Sequence, residues 1–159
     1  NSNLVLGETL RYFNEDNIAV GTGPVPPKVG ETTTYKVYWK ISNNLHELSD
    51  LKVEVNLPPY VKWNEKNATT VGTVEYIESD HKVVWNVGRL PVVLEEIGAE
   101  FSVSVTPEEQ DRNTVLVLLP GSRIDAKDIE TNSAISKSTK AKTSKLEDDD
   151  IAGSDGRIQ

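Results

Sequence analysis

The chain has no cysteine. A disulfide framework and a thiolate metal site are both excluded, so the core must hold by packing alone. The compartment is left open, since an extracellular bacterial domain without disulfides and a cytosolic one fit equally well. No apolar run approaches the roughly 20 residues needed to span a bilayer. The polar start "NSNLVLGETLRYFNED" lacks the charged and apolar regions of a secretory signal, so an exported form is expected as a mature or excised piece. Basic residues are scarce, 17 against 25 acidic ones, for a net charge of −8. That balance opposes phosphate neutralisation, the main source of nucleic-acid affinity, and excludes nucleic acid as an expected partner. Helix signals are nearly missing. Only "TPEEQDRN", with Thr106 as a cap and Pro107 at the first helical position, offers a single turn in a loop.

What is present is alternation. The 159 residues suit about one domain with a sizeable core. In "PPKVGETTTYKVYWKIS", Tyr35, Val37, Trp39 and Ile41 alternate with polar or amphipathic neighbours, which puts them on one side of a strand. Leu51, Val53, Val55 and Leu57 repeat the pattern until Pro58-Pro59 stops it, and Val61 and Trp63 resume beyond the bend. Val74 and Tyr76, then Val83, Trp85 and Val87, flank "ESDHK", a hairpin loop by length and residue type. Phe101, Val103 and Val105 form a further inward set, followed by Val115, Val117 and Leu119. "SAISKSTKAKTSKL" closes the series as a lysine-rich strand. Lysines there read as edge protection, because a charge makes docking of another strand costly.

Strands at short spacing without alternating helices predict an all-β fold, an immunoglobulin-like antiparallel β-sandwich of about 8–9 strands. Trp39, Trp63 and Trp85 take inward positions where antibody domains use a disulfide. Each indole can bury roughly 150–250 Å², and at least one buried N–H is expected near a sheet end with a free carbonyl. Three segments are expected: residues 1–28 as an N-terminal edge strand and lead-in, 29–146 as the sandwich, and 147–159 as an acidic linker with little to bury.

The order "VGETTTYKVYW", "LSDLKVEVNLPPYVKW", "VVWNVGRLP" and "AEFSVSVTP" resembles an immunoglobulin-like tandem-repeat domain family of bacterial and archaeal cell-surface and S-layer-associated proteins. The likeness covers about residues 25 to 145. Tyr60 stands where that family often has glycine, and "SNNLHELSD" has no counterpart beyond a loop of variable length. The resemblance implies an extracellular, cell-surface setting and no catalytic residue. Partners implied are neighbouring domains of the same protein, other envelope proteins or glycans.

Candidate chemistry is sparse. His46 and His81 both fall in polar loops and are read as solvated turn residues, and no nucleophile elbow accompanies them. Two histidines without cysteine also leave zinc short of ligands. Calcium, which takes oxygen ligands, is the better-supplied metal. Asp125 and Asp128 from "RIDAKDIE" would meet Asp148 and Asp150 at one pole, although "DDDIAGSDGRIQ" itself departs from a complete calcium loop at Ala152 and Gln159. No other cofactor is expected. A lysine–asparagine isopeptide link would need a buried lysine, yet Lys36, Lys40 and Lys52 fall on the polar face. Tyr12, Tyr38 and Tyr60 are candidates for a sugar-binding face, with nothing in their spacing to unite them. The reading is therefore non-catalytic: a spacer or lattice module giving stiffness and end-to-end linkage, with adhesion within its range of roles. The alternative is a ligand-binding module for carbohydrate or a protein partner on the same sandwich.

Overall fold

The computed structural model describes residues 4–43, 46–92 and 96–159. These form eleven strands: β1 (Val5–Arg11), β2 (Thr33–Ser42), β3 (Leu48–Asn56), β4 (Val61–Thr69), β5 (Thr73–Ile77), β6 (Lys82–Leu90), β7 (Ile97–Val105), β8 (Val117–Leu119), β9 (Arg123–Asp128), β10 (Ala134–Ser138) and β11 (Lys142–Thr143). All pairings are antiparallel. One sheet has the order β1-β2-β7-β4 and the other β10-β9-β3-β6-β5, with β8 and β11 as a short separate pair. The fold is an immunoglobulin-like β-sandwich. No helix among the described residues is long and apolar enough to cross a membrane.

Alternation sets the core. Tyr35, Val37, Trp39 and Ile41 of β2 are fully buried, as are Val53, Val83, Trp85 and Phe101. Trp39 and Trp85 stack between the two sheets with centroids 6.4 Å apart and planes within 11°, and Phe101 meets Trp39 edge-on at 4.9 Å. Offset stacking and edge contacts of this kind add to the area the rings bury. Trp63 is only half-buried, stacked on Tyr76 at 5.7 Å beside the core. Leu48 and Leu51 are both inward although an odd number of residues apart. Asp50, at φ 52, sits in a bulge that resets the parity of β3.

Two expectations need correction. Val117 points outward at 38% exposure, while Leu116, Leu118 and Leu119 are buried. "VLVLL" is apolar on both parities, so alternation gives no phase there. The second concerns residues 147–159, which pack on the sandwich instead of trailing as a linker. Leu146 and Ile158 are buried, and Gln159 exchanges backbone hydrogen bonds with Pro27 and Val29 at 2.9 Å each. Glycine serves close approach here. Gly156 has φ +70, and a Cβ on it would lie 2.4 Å from the Lys145 nitrogen.

The polar closing segment divides. β10 borders β9 at a sheet edge with mostly exposed side chains, while β11 pairs with β8. At the other end of the chain β1 is itself an edge strand, paired with β2 from Val5 opposite Ser42 to Arg11 opposite Lys36. The described N-terminal end of β1 and Gln159 thus lie at opposite ends of the sandwich, since Gln159 bonds to Val29 just ahead of the start of β2.

Candidate functional site

One of the buried acids of the sandwich is Glu8, which β1 turns inward opposite Trp39. Its carboxylate accepts the Trp39 indole N–H at 2.8 Å and the Thr139 hydroxyl at 2.9 Å, and it also accepts the Ser122 hydroxyl. Three neutral donors satisfy it. An isopeptide link would need a lysine in this place. Lys36 instead pairs with Glu100 at 3.4 Å, Lys40 with Glu15 at 3.6 Å, and Lys52 lies 3.9 Å from Glu54, all on outer faces. No lysine is among the buried charged groups of the described residues.

Both histidines are engaged, contrary to the expectation of solvated turns. His46 places Nδ1 2.5 Å from Asp128 and Nε2 2.9 Å from Glu130. With a carboxylate oxygen at each ring nitrogen, only the imidazolium satisfies both partners. The hydrogen bond to Asp128 is the main cause of a raised His46 pKa, with the charges of Asp128 and Glu130 acting the same way against some desolvation. His46 in turn is the main reason that the Asp128 pKa is lowered. His81 is a packing residue: Nε2 donates to the Pro58 and Val61 carbonyls at 3.0 and 2.8 Å, and Nδ1 accepts from the Tyr76 hydroxyl. It thereby joins the β3–β4 bend to the β5–β6 hairpin. Spacing alone carried no signal of either arrangement, because each partner comes from a different strand connection.

Three of the four acids proposed for calcium have separate partners. Asp125 accepts from Arg123 at 2.9 Å, and Asp128 serves His46 and the backbone N–H groups of Glu130 and Thr131. Asp148 accepts from Leu10 N at the far end of β1 and from Lys142 at 3.0 Å, while Asp150 is exposed. The structure does not bring them together, and no group of three metal-ligating side chains gathers among the described residues. The acid that matters most in this segment is Asp149, between Asp148 and Asp150. Its Oδ2 accepts the backbone N–H groups of Tyr12 and Phe13 and its Oδ1 those of Ile151 and Ala152. Burial works to raise its pKa, but these four donors outweigh burial and hold it low.

The three tyrosines separate. Tyr12 donates to the Gly23 carbonyl at 2.7 Å and Tyr60 to the Val117 carbonyl at 2.6 Å. Tyr38 alone lines a trench of about 690 Å³ on the outer face of the β1-β2-β7-β4 sheet. Its rows follow from register: Gly7 lies opposite Lys40 and Lys40 opposite Gly98, while Thr9 lies opposite Tyr38 and Tyr38 opposite Glu100. Burial, helped by the Glu100 charge, raises the Tyr38 pKa and keeps its hydroxyl neutral.

Among solved structures, the full-length major pilin SpaD from Corynebacterium diphtheriae matches with a TM-score of 0.55 at 13% identity, over 88% of this chain and 35% of that one. BcpA*(D312A), the major pilin subunit of Bacillus cereus, matches with a TM-score of 0.57 at 12% identity, over 89% and 40%. The RrgA Jo.In complex matches with a TM-score of 0.50 at 8% identity, over 85% and 89%. What they share with this chain is a fold. The chain spans well under half the length of either pilin. No family model matches the sequence, and no curated protein matches it.

Proposed function

We propose that the protein is a non-catalytic spacer module of a bacterial cell-surface protein, working through stiffness and end-to-end linkage in an extracellular setting. The observation that carries this reading is the placement of Val5 and Gln159 at opposite ends of one closely packed sandwich. A neighbour attached at either end would extend the long axis instead of folding back over a face. The pilin likenesses agree with such a role, as does the sequence resemblance to tandem surface domains. Repetition in the parent chain, an S-layer association and adhesion belong to the same proposal and rest on that resemblance. Partners under this reading are neighbouring modules and other envelope components, without nucleic acid.

The test is a fusion of two copies joined at these ends, measured by small-angle X-ray scattering. A ten-residue strand such as β2 spans roughly 33 Å at about 3.3 Å per residue. The maximum dimension should grow by at least that length on going from one copy to two. A tandem that stays as compact as its side-by-side arrangement would allow overturns the reading. The second reading, a ligand-binding module, has the trench beside Tyr38 as its observation.

A further inference from the structure

We propose that the trench on the β1-β2-β7-β4 sheet binds a neutral oligosaccharide, with a sugar ring lying against Tyr38 over the Gly7–Lys40–Gly98 row. This goes beyond the spacer role and stands or falls separately from it. At about 690 Å³ the trench lies within the roughly 300–1,000 Å³ range of small-ligand sites.

The floor is the first argument. A glycine inside a strand costs roughly 0.5–1 kcal/mol relative to alanine, so it needs a reason. Neither Gly7 nor Gly98 has a positive φ. A Cβ on Gly7 would meet nothing nearer than the Lys40 carbonyl oxygen at 3.9 Å, and one on Gly98 the Trp39 oxygen at 3.4 Å. A Cβ at either position would stay at van der Waals contact distance from the backbone. The fold therefore does not demand these glycines, and their effect is to leave bare backbone beside an aromatic ring, where a ligand can approach closely.

The walls choose the ligand. Arg11 and Lys40 face four acids, Glu15, Asp16, Glu96 and Glu100, which disfavours an anionic chain. Lys40 and Glu15 stand 3.6 Å apart. This pair sets a donor beside an acceptor, which suits the adjacent hydroxyls of a sugar because every hydroxyl both donates and accepts. Tyr38 supplies the apolar face that the C–H side of a pyranose requires.

Uniformly ¹⁵N-labelled full chain would be titrated with neutral trisaccharides of glucose, galactose, mannose and N-acetylglucosamine, and with trigalacturonate as the anionic control. At least one neutral sugar should shift backbone resonances confined to the trench, and trigalacturonate should shift none. Tyr38→Ala should weaken binding about tenfold or more, equivalent to about 1.4 kcal/mol. Gly98→Val should abolish binding while keeping or raising Tm, which separates a filled trench from a damaged fold. Gly7→Val provides the same test on the other side of Lys40. Absence of trench-confined shifts with every neutral sugar, equal binding of trigalacturonate, or unchanged binding in both valine variants overturns the proposal. Concentration-dependent trench shifts without sugar also overturn it, assigning the face to a second copy of the chain.

Discussion

Asp149 Oδ2 holds the backbone N–H groups of Tyr12 and Phe13 at 2.8 Å each, joining positions 136 and 137 residues apart in the chain. The carboxylate thus ties the crossing that follows β1 to the turn that follows β11. Its other oxygen closes the Asp149–Ala152 turn. Asp149→Ala would leave four backbone donors without this acceptor. The expected cost is about 2–4 kcal/mol by chemical denaturation. Because its folded pKa is lowered, the contribution is present above the ordinary carboxylate value of 3.8 and is lost as pH falls through the folded value. A variant as stable as the parent at neutral pH would show that the segment is not held this way.

The opposite sign applies at His46. Its folded pKa is raised, so the stabilisation is full below the ordinary value of 6.5 and disappears as pH rises through the folded value. Thermal melts from mildly acidic to mildly alkaline pH should show a falling Tm in the parent. His46→Gln should flatten that dependence. Identical slopes in the two proteins would remove the clasp between His46 and the Asp128–Glu130 turn from the account.

Tyr35 presents a different case. Its ring is fully buried, and its hydroxyl finds no hydrogen-bond partner among the described residues. Burial raises its pKa, with the neighbouring Tyr12 contributing. Tyr35→Phe removes an unpaired polar atom and keeps the ring. Stability is expected to stay level or rise by up to about 1 kcal/mol. A clear loss would reveal a partner for the hydroxyl.

Calcium can be tested directly. Asp125, Asp128 and Asp148 already serve Arg123, His46 and Lys142, so adding calcium to chelator-treated protein should leave Tm unchanged. An upward shift that saturates with calcium would restore a site at these acids.

The sheets were legible where one parity is apolar and the other polar, as in β2 with Tyr35 to Ile41 against Thr34 to Lys40. They were illegible at 115–119, where both parities are apolar and only tertiary packing chooses. The last 13 residues misled for another reason. Acids and glycines suggest a solvated tail, yet here Asp149 caps backbone and Gly156 admits a close contact, roles that depend on a partner segment far along the chain. The histidine clasps and the trench share that dependence. Cross-strand neighbours such as Gly7, Lys40 and Gly98 are brought together by register, which no local window contains.

The antiparallel course of β1 along β2 has a mechanical consequence. A pull entering at Val5 and resisted at Gln159 runs along the strand axis, at right angles to the rungs that join the two strands. The rungs are then loaded in shear, all seven residues of β1 having to slip at once, where a strand peeled from one end would release them singly.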